Sequence, residues 1–392
     1  MGTRTNYSLV ILFGTILIVF LAAAGCTGTS PPDNTSSGSA VTSLTDGYGR
    51  TVSIPSPATR VVCSAGGPCV RYLVYIDAAD ALIGVDSGDK PNSTTATSRD
   101  TRSYTLANPQ FANLSLIGSA NNNANLEQII ALSPQLIFMM GYVNNQTGDS
   151  ISPADTMQAK TGIPVVAVTS GSYATEEGRA EMYDSFRLMG RILGKEDRAE
   201  QLTVYIDAAI ADLDNRTKDI PESEQKTAFI GGLSYSGSHG LMSTQSAYPP
   251  FLWDHVKNVA NGSVLQTAEL SKEGLIYADP DYIFIDAGTL GVQDEISGFE
   301  DIRSQVFSDM KAVKNGNVYA TLPYNYRSSN LDTILADSYF IGKIVYPDRF
   351  TDIDPKEKAD EIYTMFVGEP VFGRINANCN NTGFEKVSLT RT

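Results

Sequence analysis

Two stretches far apart in the chain share one grammar. They are Asn125-Leu-Glu127-Gln-Ile-Ile-Ala-Leu-Ser-Pro134-Gln-Leu-Ile-Phe138 and Ser271-Lys-Glu273-Gly-Leu-Ile-Tyr-Ala-Asp-Pro280-Asp-Tyr-Ile-Phe284. Each puts a Glu in the first turn of a helix, apolar residues behind it, and a Pro seven positions after the Glu. The helix dipole favours a carboxylate in the first turn, and the Pro stops the helix and opens a buried strand. Singly, these pieces are ordinary. The shared spacing equips two halves of the chain alike.

Outward from these segments, short apolar strands alternate with helical stretches. In the first half strands are expected at 60–64, 81–85, 136–140 and 164–168, with helices at 68–76 and 126–132. Residues 86–115 are polar and poorly periodic and read as a long loop. From 175 to 219 the strands stop. One amphipathic helix covers 181–193 and breaks at Gly194. A second runs from Lys195, with Ala199, Leu202, Ile206, Ala209, Ile210 and Leu213 at helical spacing, and Pro221 closes it. The second half repeats the pattern, with strands at 227–231, 282–286 and 317–322 and helices at 251–259, 331–346 and 355–366. Strands alternating with helices make βαβ units and a mainly parallel sheet. The fold class is α/β: a lobe over 44–194, a stiff linking helix over 195–220, a second lobe over 221–370 and a tail over 371–392, with one cleft between the lobes.

The chain's 392 residues suit two domains, and 42% hydrophobic against 19% charged residues supplies real cores. A net charge of −15 argues against nucleic acid or an anionic membrane surface as partner. Residues 1–25 read as a signal peptide: Arg4, an apolar run from Leu9 to Ala24, then Gly25-Cys26. Ala23-Ala24-Gly25-Cys26 resembles the lipobox of bacterial and archaeal lipoproteins, in which the Cys26 thiol would take the lipid. The alternative is an uncleaved anchor helix. Either way the folded part is exported and tethered at the outer face of the membrane, and Ser/Thr/Pro/Gly-rich residues 26–43 form the flexible tether. Sequons at Asn92, Asn113, Asn145, Asn215 and Asn261 fit a surface protein but arise easily by chance. Cys63 and Cys69 are either a disulfide, permitted outside the cell, or two buried thiols. No Cys-x-x-Cys and only two His leave a zinc site unsupported.

The paired segments, the opening Asp46-Gly-Tyr-Gly-Arg50-Thr-Val-Ser-Ile-Pro55 with Arg60-Val-Val, and the late Asn317-Gly-Asn-Val-Tyr-Ala-Thr-Leu-Pro323 resemble the substrate-binding proteins of ABC importers for ferric siderophores, haem and cobalamin. The likeness spans about residues 44 to 368. It implies two Rossmann-like lobes on a long linking helix, with ligand in the cleft. It also implies that Glu127 and Glu273, one per lobe, dock onto arginines of the membrane permease, which works with an ATPase; the bland alternative is two solvated helix-start residues. The polar stretch 86–115 and the Gly-rich loop Ser64–Cys69 depart from the pattern and border the expected cleft.

In open α/β sheets ligands sit beyond the carboxyl ends of the strands. The loops there offer Ser64, Gly66, Gly67, Ser119 and Tyr142 from the first lobe, and Tyr235, His239, Tyr324, Tyr326 and Arg327 from the second. An Arg fork recognises oxyanions, and Tyr stacks on flat ligands or offers a phenolate to ferric iron. The competing reading packs both Tyr and puts Arg327 in a salt bridge; His239 is more simply a bonded loop residue. An enzyme lacks support, since Ser234-Tyr-Ser-Gly-Ser-His239 is no Gly-x-Ser-x-Gly elbow and no phosphate loop follows the first strand. Two His also suit a bare-metal receptor poorly. The expectation is a monomeric, non-catalytic receptor without an intrinsic cofactor or metal. It would deliver a small metal chelate, an iron-siderophore complex first, to its permease. Haem, cobalamin or an oxyanion such as molybdate or tungstate are the alternatives.

Overall fold

The chain enters its fold through a hairpin, β1 (Val41–Thr45) and β2 (Thr51–Pro55), paired antiparallel from Val41↔Pro55 to Thr45↔Thr51. The protein is represented by a computed structural model that describes residues 41–64, 67–91, 100–119, 123–141, 152–235, 237–260, 267–292 and 296–390. These lie in one compact unit, Ser39–Thr392. The expected signal peptide, Cys26, most of the expected tether, Gly66, Tyr142 and the sequons at Asn92, Asn145 and Asn261 lie outside the described residues.

The first lobe holds five parallel strands, β3 (Val61–Ser64), β4 (Leu82–Val85), β5 (Ser115–Leu116), β6 (Leu136–Gly141) and β7 (Val165–Thr169), in the order β5-β4-β3-β6-β7. Asp46 at the hairpin turn accepts from Ala167 N at 3.0 Å while Gly47 N donates to Ala167 O at 2.8 Å, which docks the hairpin on β7. The second lobe holds β8 (Thr227–Gly231), a β9 (Ser243–Gln245) ribbon, β10 (Lys257–Asn258), β11 (Thr267–Glu269), β12 (Tyr282–Asp286) and β13 (Val318–Thr321). Its sheet is parallel, in the order β10-β8-β12-β13, and β9 pairs antiparallel with β11.

The two duplicated segments fold alike. Helices Leu126–Leu132 and Lys272–Ala278 are each seven residues long. Asn125 caps one by accepting from Gln128 N, and Ser271 caps the other by accepting from Gly274 N. Both end on a left-handed residue, Ser133 and Asp279, just before the Pro that opens β6 or β12. That repetition gives the lobes their likeness.

Between the lobes run helices Glu176–Leu193 and Glu196–Thr217, joined through Gly194 at φ 68°. The second, 22 residues, reaches about 33 Å at 1.5 Å per residue. Tyr183 on the first of these helices donates to Asp207 on the second at 2.7 Å, and Tyr339 of the second lobe donates to Asp212 at 2.9 Å. One apolar core runs through this helix into both lobes, from Val168 and Phe186 through Leu202 and Leu213 to Phe284 and Phe340. The other faces of the two sheets carry separate cores, around Val62, Ile137 and Val165 and around Phe229, Ile283 and Ile285. Alternate residues of one strand thus serve opposite faces.

The structure corrects five local expectations. The helix expected from Glu181 starts at Glu176, because Thr175 caps Gly178 N before any apolar periodicity begins. Helix Pro153–Thr161 was not foreseen; it buries only Ala154 and rests on a Ser152/Asp155 capping box. The helix expected over 251–259 stops at Trp253, His255 turns left-handed at φ 51°, and Lys257–Asn258 join the sheet. The expected loop 86–115 contains helical turns at Ser103–Leu106 and Pro109–Asn113 and buries Asp100, Arg102, Tyr104 and Phe111. Residues 371–390, read as a tail, are folded in: helix Phe372–Asn378 is followed by a stretch pairing with β13 through Tyr319↔Lys386.

Candidate ligand site between the lobes

The carboxyl ends of β8, β12 and β13 converge on a cavity of about 180 Å³. Its polar lining comes from Ser234 and Ser238 after β8, Asn325 and Tyr326 after β13, and Thr101 from the first lobe; Gly288 follows β12, and Asn378, Cys379 and Asn380 close one side. A second cavity, about 250 Å³, lies where Ser170–Ala174 after β7 meet Gln245, Tyr324, Ser328 and Ser329. Both therefore contain residues of both lobes, at the strand tips where ligands of open sheets bind.

A strap of chain, Tyr324 to Asn330, contributes to both cavities. It is a tight loop: Asn325 pairs with Ser329, and Arg327 and Ser328 are left-handed at φ 54° and 69°. Such backbone in non-glycine residues persists only where surroundings over-determine it. Here the surroundings are explicit. Arg71, fully buried on helix Cys69–Tyr75, donates to the carbonyls of Ser329 at 2.5 Å, Arg327 at 2.7 Å, Tyr326 at 3.1 Å and Ser328 at 3.4 Å. Asn330 Nδ2 ties the loop's base to Tyr324 O at 2.7 Å. One guanidinium from the first lobe thus holds the turn of the second.

The side chain at the tip points the same way. Arg327 Nη2 lies 2.7 Å from Asp86 Oδ2 and 3.1 Å from Asp89 Oδ2. Burial, with Asp89 adding to it, lifts the Asp86 carboxyl above its usual range, against the pull of Arg327. Tyr104 donates to Asp89 at 2.6 Å, and Arg102, paired with Asp100 at 2.8 Å, lies over the Tyr326 ring at 5.0 Å. Arg327, read as an anion fork, is committed to this interlobe ion pair; an anion there would have to displace two carboxylates.

The other expected residues divide. Tyr326, 36% exposed, lines the smaller cavity, while Tyr235, 54% exposed, stands on the neighbouring loop. Tyr324 is buried against Tyr248, with its hydroxyl on Gln245, and lines the larger cavity by its side. His239 Nε2 bonds Tyr235 O at 2.6 Å and belongs to a separate surface hollow with Lys272 and Asp301. Ser64, Gly67 and Ser119 line neither interlobe cavity. Cys63 and Cys69 form a disulfide that closes the loop between β3 and its helix. Among the described residues no group of three or more His, Cys, Asp or Glu is arranged to hold a metal ion.

Under the smaller cavity lie two acids that sequence reasoning missed. Asp286, at the end of β12, accepts from Gly288 N at 2.7 Å, and burial pushes its carboxyl up to about 8. Asp337 accepts from Leu322 N at 3.0 Å and is raised well above the usual range by burial and by Asp286. The only sequence signal for Asp286 is its place as the acid closing the apolar run Tyr282-Ile-Phe-Ile-Asp286; Asp337, inside helix Leu331–Val345, has none. Glu127 and Glu273 are both exposed, each in the first turn of its duplicated helix.

Two α/β lobes on a long helix, with cavities at facing strand tips, define a class of protein, and comparison with known proteins agrees. The chain belongs to the periplasmic binding protein family, whose model matches residues 78–324, and it is an extracytoplasmic substrate-binding component of an ABC importer. Among curated relatives, it is 22% identical over 344 residues to the molybdate-binding protein MolA of Haemophilus influenzae, covering 82% of this chain and 90% of that protein. It is also 23% identical over 232 residues to the uncharacterized ABC transporter substrate-binding lipoprotein YvrC of Bacillus subtilis, covering 59% of this chain and 68% of that one. Its fold resembles that of the TroA-like binding protein FepB from Veillonella parvula, with a TM-score of 0.60 at 22% identity over 83% of this chain and 96% of that one.

Proposed function

We propose that this binding protein captures a compact oxyanion of the molybdate or tungstate kind in the smaller interlobe cavity and passes it to its permease. The carrying observation is the size and lining of that cavity, about 180 Å³ lined by the hydroxyl-bearing Thr101, Ser234 and Ser238 and the amide-bearing Asn325, Asn378 and Asn380, of which Asn325 Nδ2 also donates to Ser234 O at 2.6 Å and Asn378 Nδ2 to Asp100 O at 2.6 Å. Organic ligands of drug size occupy roughly 300–1,000 Å³, and haem, cobalamin and siderophore complexes are at least that large. A tetrahedral anion is far smaller, and hydroxyl, amide and backbone N–H donors can hold it. The resemblance to a molybdate-binding protein supports the same reading. Binding, not catalysis, is the whole activity in this proposal; the protein works as a monomer, and Cys26 carries the lipid that anchors it outside the membrane.

The ferric-chelate reading has its own support. Tyr326 and Tyr235 expose their rings near the cavity, and the strap Tyr324–Asn330 contributes lining to both chambers. Isothermal titration of the purified protein with molybdate, tungstate, sulfate, a ferric hydroxamate, a ferric catecholate and haem separates the two. Tight binding of molybdate or tungstate is expected. Heat from a ferric chelate, with none from either oxyanion, would reverse the order.

A further inference from the structure

The C-terminal turn forms a wall of the ligand cavity although the family's matched region ends at residue 324. Helix Phe372–Asn378 leads into Cys379, which is buried, and the chain then doubles back through Asn380 and Asn381, both left-handed at φ 56° and 57°. Asparagine is among the few residues that take this backbone readily. Asn376 locks the turn, its carbonyl accepting from Asn381 N at 2.8 Å and its Oδ1 from Gly383 N at 2.8 Å. A Cβ at Gly383 would come within 2.4 Å of Leu322 Cδ2, so a larger residue there would have to push that buried side chain aside.

Each side of the turn is tied to a different lobe. Phe384 stacks on Phe340 at 4.4 Å, and its N–H donates to Ala320 O at 2.9 Å, adding an antiparallel edge to β13. Before the turn, Asn378 Nδ2 donates to Asp100 O at 2.6 Å and Arg374 Nη1 to Leu106 O at 2.8 Å, both in the first lobe. Thr101, next to Asp100, lines the same cavity. The turn is therefore fixed from both sides and has little room to yield to a ligand.

We infer that Asn378–Asn380 form a specificity wall, limiting the cavity to small oxyanions and placing amide groups beside the anion. This rests on the reading of that cavity as the ligand site. Asn380 sits exposed at the rim, outside the buried core.

The test uses the full chain, titrated with molybdate and tungstate, and with a ferric hydroxamate alongside. Asn380→Asp keeps the shape and the backbone tolerance but sets a negative charge at the rim; molybdate affinity should fall at least tenfold. Asn380→Gly should shift the preference between molybdate and sulfate. Asn215→Asp makes the same charge change on the linking helix, and should bind as the original protein does. In the unaltered chain, bound molybdate should also slow modification of Cys379 by methyl methanethiosulfonate, read by peptide mapping, which needs no variant to fold. Normal molybdate binding by both Asn380 variants, with Cys379 unprotected, overturns the wall and leaves the oxyanion reading intact. No oxyanion binding by the unaltered chain overturns that reading. The wall, defined by its selection of small oxyanions, then falls with it, and hydroxamate binding in the same titrations identifies the ferric-chelate reading instead.

Discussion

Asp286 holds its proton where an aspartate in water would have lost it, and this has a sign that can be measured. Its carboxyl titrates near 8 in the fold, against about 4 unfolded. The folded chain therefore binds the extra proton between those values, and stability from this group is complete below about pH 4 and lost as pH rises towards 8. The slope approaches 1.4 kcal/mol per pH unit at most, on the order of one proton's linkage. Asp286→Asn keeps an acceptor for Gly288 N and should give a shallower fall between pH 5 and 8 in urea unfolding. Equal slopes would show that another group carries the dependence. Nothing local in the sequence reveals this group's state, nor the partners of Arg327: Asp86 lies 241 residues away, and Arg71 lies 255 residues from Tyr326. The sequence showed which residue types the loops carry. Which of them meet across the cleft depends on the packing of two lobes.

At the scale of elements the sequence was far more legible. The duplicated helices and the strands after them fell at their expected positions because Pro, caps and apolar runs act within a few residues. Helix Pro153–Thr161 escaped because it presents almost no apolar stripe, and the buried turns of 100–113 because their polar residues satisfy one another, as Arg102 does with Asp100. The sequence allows Cys63 and Cys69 to be either a disulfide or two buried thiols, and the structure closes the loop from β3 to its helix with the Cys63–Cys69 bond. A loop this short, six residues in separation, confers about 2 kcal/mol in the chain-entropy account. The double variant Cys63→Ser, Cys69→Ser should lose that much in unfolding free energy; a loss under about 0.5 kcal/mol would assign the loop's order to packing instead.

For the whole molecule, the twin helices give each lobe one exposed carboxylate on a matching frame, Glu127 and Glu273. We propose that these meet basic residues of the permease. Glu127→Lys with Glu273→Lys should abolish transport into cells or proteoliposomes while ligand affinity, measured on the purified protein, stays within about twofold, because exposed charges contribute little to the fold. Weakened binding with intact transport would refute the assignment. The long helix between the lobes also has a consequence for how such a carrier is recognised. Gripped on one flank at Asp207 and on the other at Asp212, and buried in a continuous core, it cannot serve as a hinge without breaking those bonds. If those bonds hold in both the empty and the laden form, the two show nearly the same silhouette to the membrane. Discrimination between them then comes from touch at the cleft's lips, and vacant copies compete with laden ones for the same doorway.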